Sequence, residues 1–175
     1  MLTYSDAFLF AIIIFVISLV VMIFKKTPIE RIITTASFIA YMCAVSCITL
    51  FPIVFQEIGY DYEYNFIPLK GILEALKEKS IYGIYSVFGN IVMFVPFGAY
   101  MILLFKKNRI KAILCCLVCA SSIELVQFLI GVIIGYQYRC VDIDDIILNM
   151  MGGVIGVLLF YLFKQQYLKR KCKTD

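Results

Sequence analysis

Five apolar blocks constrain this chain more than any other feature. They fall at about residues 7–24, 32–55, 82–105, 112–134 and 146–163. Each holds roughly 18–24 residues, enough for a helix to cross about 30 Å of hydrocarbon. With 63% hydrophobic and only 16% charged residues, the chain cannot cover a water-soluble globule. The expected fold is an all-α integral membrane protein with five transmembrane helices, forming a single membrane domain over residues 1–175. The expected location is the bacterial cytoplasmic membrane, crossed several times.

Basic residues set the orientation. Lys25, Lys26 and Arg31 follow the first block, Lys106, Lys107, Arg109 and Lys111 the third, and Lys164, Lys169, Arg170, Lys171 and Lys173 the fifth. Lys70, Lys77, Lys79 and Arg139 fall on the other side. By the positive-inside rule this places the N-terminus outside and the C-terminus in the cytoplasm. Asp6 precedes the first block and lysines follow it, the reverse of a cleaved signal peptide, so that block reads as a retained span.

The outward loop, residues 56–81, is long enough for structure of its own. Asn65-Phe66-Ile67-Pro68 reads as a turn entering a short helix with proline in its first turn. Ile72, Leu73 and Leu76 then share one face and Lys70, Glu74, Lys77 and Glu78 another, as in an amphipathic helix lying on the membrane surface. Tyr60, Tyr62, Tyr64, Tyr82, Tyr85, Tyr136 and Tyr138 fall on the same side, where an interfacial aromatic belt or a tyrosine-rich loop would place them.

Against this apolar background the polar residues stand out. A charge at mid-bilayer costs roughly 3 kcal/mol even on lenient scales. Residues 139–156 nevertheless bring Arg139, Asp142, Asp144, Asp145 and Asn149 to the mouth of the fifth block. As a helix, this stretch would align Asp142, Asp145, Asn149, Gly152 or Gly153, and Gly156 in one stripe, leaving Asp144 off it. Gly152 and Gly156 form a G-x-x-x-G step suited to close helix approach. The plainer alternative is a solvated loop beside a span with small packing residues.

The third block carries Asn90 and, deeper, Pro96 and Gly98; proline there frees the Val92 carbonyl and favours a kink. The fourth carries Glu124 and Gln127 three residues apart on one helix face. Glu124 lies ten residues from the end of its block, roughly 15 Å along the axis. It must be neutral or held by donors. Counted the same way, Asn90 and Asn149 lie roughly 12 and 10 Å deep. Asn90, Glu124, Gln127, Arg139, Asp142, Asp145 and Asn149 are therefore expected to line one outward polar cleft, while Pro96, Gly98, Gly152, Gly153 and Gly156 serve helix geometry and packing.

The chain has no histidine, which removes the commonest general base and metal ligand. Of seven cysteines, Cys43, Cys47, Cys115, Cys116 and Cys119 sit inside apolar runs, where free cysteine acts as a small hydrophobe. Cys116 and Cys119 have C-x-x-C spacing but lack a second pair to complete a zinc site. No cofactor and no nucleic-acid partner are expected.

Four fragments in order carry a family resemblance: Asn65-x-Ile67-Pro68; Asn90-x-x-x-Phe94-x-Pro96-Phe97-Gly98; Ser122-x-x-x-x-Gln127 around Glu124; and Arg139-x-x-Asp142-x-x-Asp145-x-x-x-Asn149-x-x-Gly152. Together, over about residues 65–156, they resemble the VanZ-like family of bacterial integral membrane proteins. The resemblance implies a multi-span membrane protein of Gram-positive-type bacteria, and its name-giving member is associated with resistance to the glycopeptide teicoplanin. It carries no catalytic residue over.

Three functions compete. One is an envelope protein whose outward cleft engages a cell-wall precursor or lipid-linked component and so lowers susceptibility to teicoplanin-like glycopeptides, with Arg139 clamping a phosphate or carboxylate. A second is an enzyme acting on a lipid phosphate, with Asp142 and Asp145 as weak candidates for Mg²⁺ and Glu124 as acid or base. Acids at loop ends more often cap helices, so the sequence leans away from catalysis. The third is a small transporter or a membrane scaffold, for which no inverted repeat is visible.

Overall fold

The computed structural model describes residues 2–53, 64–78, 81–106, 108–136 and 138–171. Six helices and one short strand pair follow in the order α1 (Tyr4–Phe24), α2 (Ile29–Leu50), β1 (Tyr64–Asn65), α3 (Lys70–Lys77), α4 (Ile81–Leu103), α5 (Arg109–Ile134), β2 (Val141–Asp142) and α6 (Ile143–Lys171). Five of them, α1, α2, α4, α5 and α6, are long and apolar enough to cross a membrane. Helices suit that setting because each closes its own backbone hydrogen bonds. The end of the second expected span, residues 54–55, and the loop tyrosines Tyr60 and Tyr62 lie outside the described residues.

The chain divides into two compact units, Met1–Asp61 with Ile130–Tyr138, and Tyr62–Leu129 with Arg139–Asp175. In the first, α1 and α2 form a hairpin. Asp6 accepts the Thr3 backbone N–H at 2.8 Å and so fixes the start of α1. Lys26, in the left-handed region, ends that helix, and Thr27 N–H bonds back to the Met22 carbonyl. Leu2 and Ile53 exchange both backbone bonds, at 2.9 and 3.0 Å, and close the hairpin at its open end. Along α2, the Thr34, Ser46 and Thr49 hydroxyls donate to the carbonyls of Glu30, Met42 and Val45, which meets their bonding needs within the helix. Nearly all of the α1 surface is exposed apolar side chain, the surface that lipid would cover.

In the second unit, α4 and α6 run parallel and α5 antiparallel to both. The α4–α6 contact depends on small residues. A Cβ on Gly152 would overlap the Ile91 carbonyl, one on Gly156 the Val95 carbonyl, and one on Gly98 the Gly153 carbonyl. Gly153 is likewise closed against the Cys116 side chain of α5. Without a hydrophobic driving force between helices in lipid, such close backbone approach supplies the packing that holds them. Phe94, Cys116, Ala120 and Val157 are fully buried in this unit. Pro96 is exposed on α4, away from this contact. At the far end Arg109 lies 4.0 Å over the Tyr161 ring and joins the start of α5 to α6.

β1 and β2 pair in parallel, Tyr64 with Val141 and Asn65 with Asp142. This pairing delivers α3 to the head of α6. Pro68 stands in the turn before α3 rather than in its first helical turn, because Leu69 at φ 68° reverses the chain between them. Gly71, Ile72 and Ala75 turn inward, whereas Leu73 and Leu76 remain exposed with Phe66, Ile67 and Leu69. That outer apolar face suits a helix lying at a membrane surface.

Candidate binding site

The head of α6 gathers the polar residues of the second unit. Helix α3 opens without a serine, threonine, aspartate or asparagine cap of its own. Asp144, 75 residues on from Leu69, supplies it. Its Oδ1 accepts the Leu69 N–H and its Oδ2 accepts Gly71 N–H at 2.8 Å and Ile72 N–H at 3.3 Å. The carboxylate thus satisfies three backbone donors of α3, where the helix dipole also favours negative charge. Gly71 is what lets the two meet: a Cβ there would lie 3.3 Å from both Asp142 Oδ2 and Asp144 Oδ2.

Asn65 and Asp142 form the second join. Asn65 Nδ2 donates to Asp142 Oδ1 at 2.8 Å, and Asn65 Oδ1 accepts the Ile67 N–H at 3.3 Å. Asp142 Oδ1 also accepts the Asp144 N–H at 2.8 Å. Burial pushes the Asp142 carboxyl above the ordinary aspartate range, against the opposing pull of the Asp144 N–H and the Asn65 amide.

Two further bonds tie in the other helices. Asn90 of α4 donates to Asp145 Oδ1. Glu124 of α5, 4% exposed, accepts the Asp142 backbone N–H through Oε2 at 3.1 Å. Both side chains reach toward the acids, while the Ile91 carbonyl against Gly152 keeps the Asn90 backbone deeper along α6 than Asp145. Asn149 lies one turn farther along α6 and is buried, as is Gln127 on α5. Arg139 is half-buried beside β2.

The structure therefore gathers Asn90, Glu124, Asp142 and Asp145 at the head of α6, Asn90 bonded to Asp145 and Glu124 to the Asp142 N–H, and adds two residues that the sequence pattern left out, Asn65 and Asp144, both bonded to Asp142. The missing cap at the front of α3 was the available signal for Asp144, and the Asn-x-Ile-Pro fragment the signal for Asn65. Among the described residues no group of three or more His, Cys, Asp or Glu is placed to hold a metal ion. Chemically, the cluster is rich in acceptors: four carboxylates held by backbone and carboxamide N–H groups.

The VanZ/LLP1 family model matches residues 38–164, a wider stretch than the 65–156 that carries the motifs. Among curated proteins, Protein VanZ of Enterococcus faecium is 28% identical over 83 residues, which is 47% of this chain and 48% of that protein. The chain thus spans about half the length of the curated relative it matches. No solved structure matches.

Proposed function

The chain belongs to the VanZ/LLP1 family and is a multi-pass protein of the cell membrane; on that premise we propose that it acts in the cell envelope and lowers susceptibility to glycopeptides of the teicoplanin type. The observation that carries this reading is the cluster at the head of α6, where Glu124, Asp142, Asp144 and Asp145 converge with Asn65 and Asn90. An apolar chain retains so many ionisable groups at one place at considerable cost, which marks a functional site by default. The basic segments after α4 and at the end of α6 favour the cytoplasm for the end of the second unit opposite the cluster. The cluster would then face outward, where wall precursors and antibiotics meet the membrane.

This reading is preferred to a Mg²⁺-dependent lipid-phosphate enzyme because Asp144 commits both oxygens to the start of α3 and Asp142 commits Oδ1 to Asn65 and the Asp144 N–H. Expression in a glycopeptide-sensitive host tests it. The wild-type chain should raise the inhibitory concentration of teicoplanin over the empty vector, and Arg139→Ala and Glu124→Ala should lower it again at equal protein level. A wild type indistinguishable from vector would reject the proposal.

A further inference from the structure

Glu124 and Asp145 are two of the carboxylates at the head of α6 that retain acceptor capacity. Glu124 receives the Asp142 N–H on Oε2 and Asp145 receives Asn90 on Oδ1, and each holds a second oxygen with lone pairs of its own. Beside them Asn149 is 2% exposed, and among the described residues its buried Oδ1 accepts no hydrogen bond. Native proteins rarely leave a buried amide oxygen unmet.

Helix register and the tilt of helical Cα–Cβ bonds give the direction in which the Asn149 side chain leaves α6. Gly153 of α6 abuts Cys116 of α5, and Asp142 meets Glu124. Asn149, one turn from Gly153, therefore lies level with Ala120, one turn from Cys116. Ala120 is fully buried, and its methyl group offers no donor. The Cα–Cβ bond of a helical residue tilts toward the helix N-terminus, so the Asn149 side chain leans toward Asp145 and Glu124.

We infer that Glu124, Asp145 and Asn149 form a receptor for a primary ammonium group carried by an envelope component. This rests on the envelope reading above and narrows its ligand class. Three acceptor oxygens match the three N–H donors of an ammonium ion. Charge points the same way. Among the described residues Arg139 and Lys70 lie within electrostatic reach of the cluster, two cations beside four carboxyl groups. A phosphate or carboxylate would add to the negative excess, whereas an ammonium offsets it. A quaternary ammonium carries the charge but no N–H, which separates hydrogen-bonded recognition from simple attraction.

The test uses the full chain in lipid nanodiscs and modification of Glu124 by dicyclohexylcarbodiimide, followed by peptide mass spectrometry. Hexylammonium near saturation should slow the modification about tenfold, as occupancy of one site requires. Hexyltrimethylammonium and sodium chloride at matched ionic strength should leave it unchanged. Asn149→Leu should abolish the protection while raising the melting temperature, since it removes an unmet acceptor. Absent protection of the wild type overturns the inference, and so does equal protection by the quaternary ion or by sodium, or protection that survives Asn149→Leu. The wild-type comparison needs no variant to fold. Protection without any effect on teicoplanin susceptibility rejects the antibiotic reading alone; altered susceptibility without protection rejects the ammonium receptor alone.

Discussion

Asp144 holds α3 in place through three backbone N–H groups drawn from a segment more than 70 residues away. Hydrogen bonds to a charged group contribute about 1.5–3 kcal/mol each when their loss leaves a buried group unmet, though they do not add fully. Asp144→Ala should therefore cost about 2–3 kcal/mol and sharply accelerate amide exchange at Leu69, Gly71 and Ile72. Unchanged exchange there would remove Asp144 as the cap. Asp142 is the neighbouring case. A carboxyl whose pKa is raised by folding favours the folded state below its unfolded value and loses that advantage as pH rises through the folded one. Burial raises that of Asp142, so wild type should lose stability relative to Asp142→Asn as pH climbs out of the aspartate range. Thermal melts of the two proteins across that window measure it; a difference that stayed flat or grew in favour of the wild type would contradict the assigned cause. Residue identity alone did not reveal either role. Asp144 sits off the α6 stripe, and only the fold brings the uncapped start of α3 within its reach.

Elements were legible in the chain wherever one local property decided them. The five spans follow from apolar length, and the glycine seam of α6 from its spacing. What the sequence could not show is the register between helices, because Asn90 and Glu124 were counted from the ends of their own blocks, with no information on where α6 begins beside them. The seam makes a sharp prediction. A methyl group at Gly152 or Gly156 would run into the Ile91 or Val95 carbonyl, and backbone moves far less readily than a side-chain tip. Gly152→Ala and Gly156→Ala should each cost about 1–3 kcal/mol by forcing α4 and α6 apart. Gly89 lies on the same helix as those carbonyls, yet a Cβ there meets nothing within 4 Å. Gly89→Ala should be neutral or stabilise by up to about 1 kcal/mol. Melting curves of the purified variants separate the two outcomes, and equal effects at Gly89 and Gly152 would refute the seam.

On the larger scale of the second unit, one asymmetry organises the proposals: acids gather at the head of α6, and basic residues follow α4 and close α6 at the opposite end. By the positive-inside rule that asymmetry predicts an orientation with the acidic cluster outside. Cys140 makes the orientation testable without any engineered label. It is exposed and directly precedes β2, while Cys43, Cys47, Cys115, Cys116 and Cys119 lie within the spans. Cys172 follows the last helix, among the basic residues. In intact cells a membrane-impermeant maleimide should label Cys172→Ser, which keeps Cys140, as strongly as it labels the wild type. Cys140→Ser should stay unlabelled until the membrane is permeabilised, when Cys172 comes within reach. The reverse pattern would place the cluster in the cytoplasm. An outward glycopeptide-facing site could not then be maintained, whatever the cluster binds.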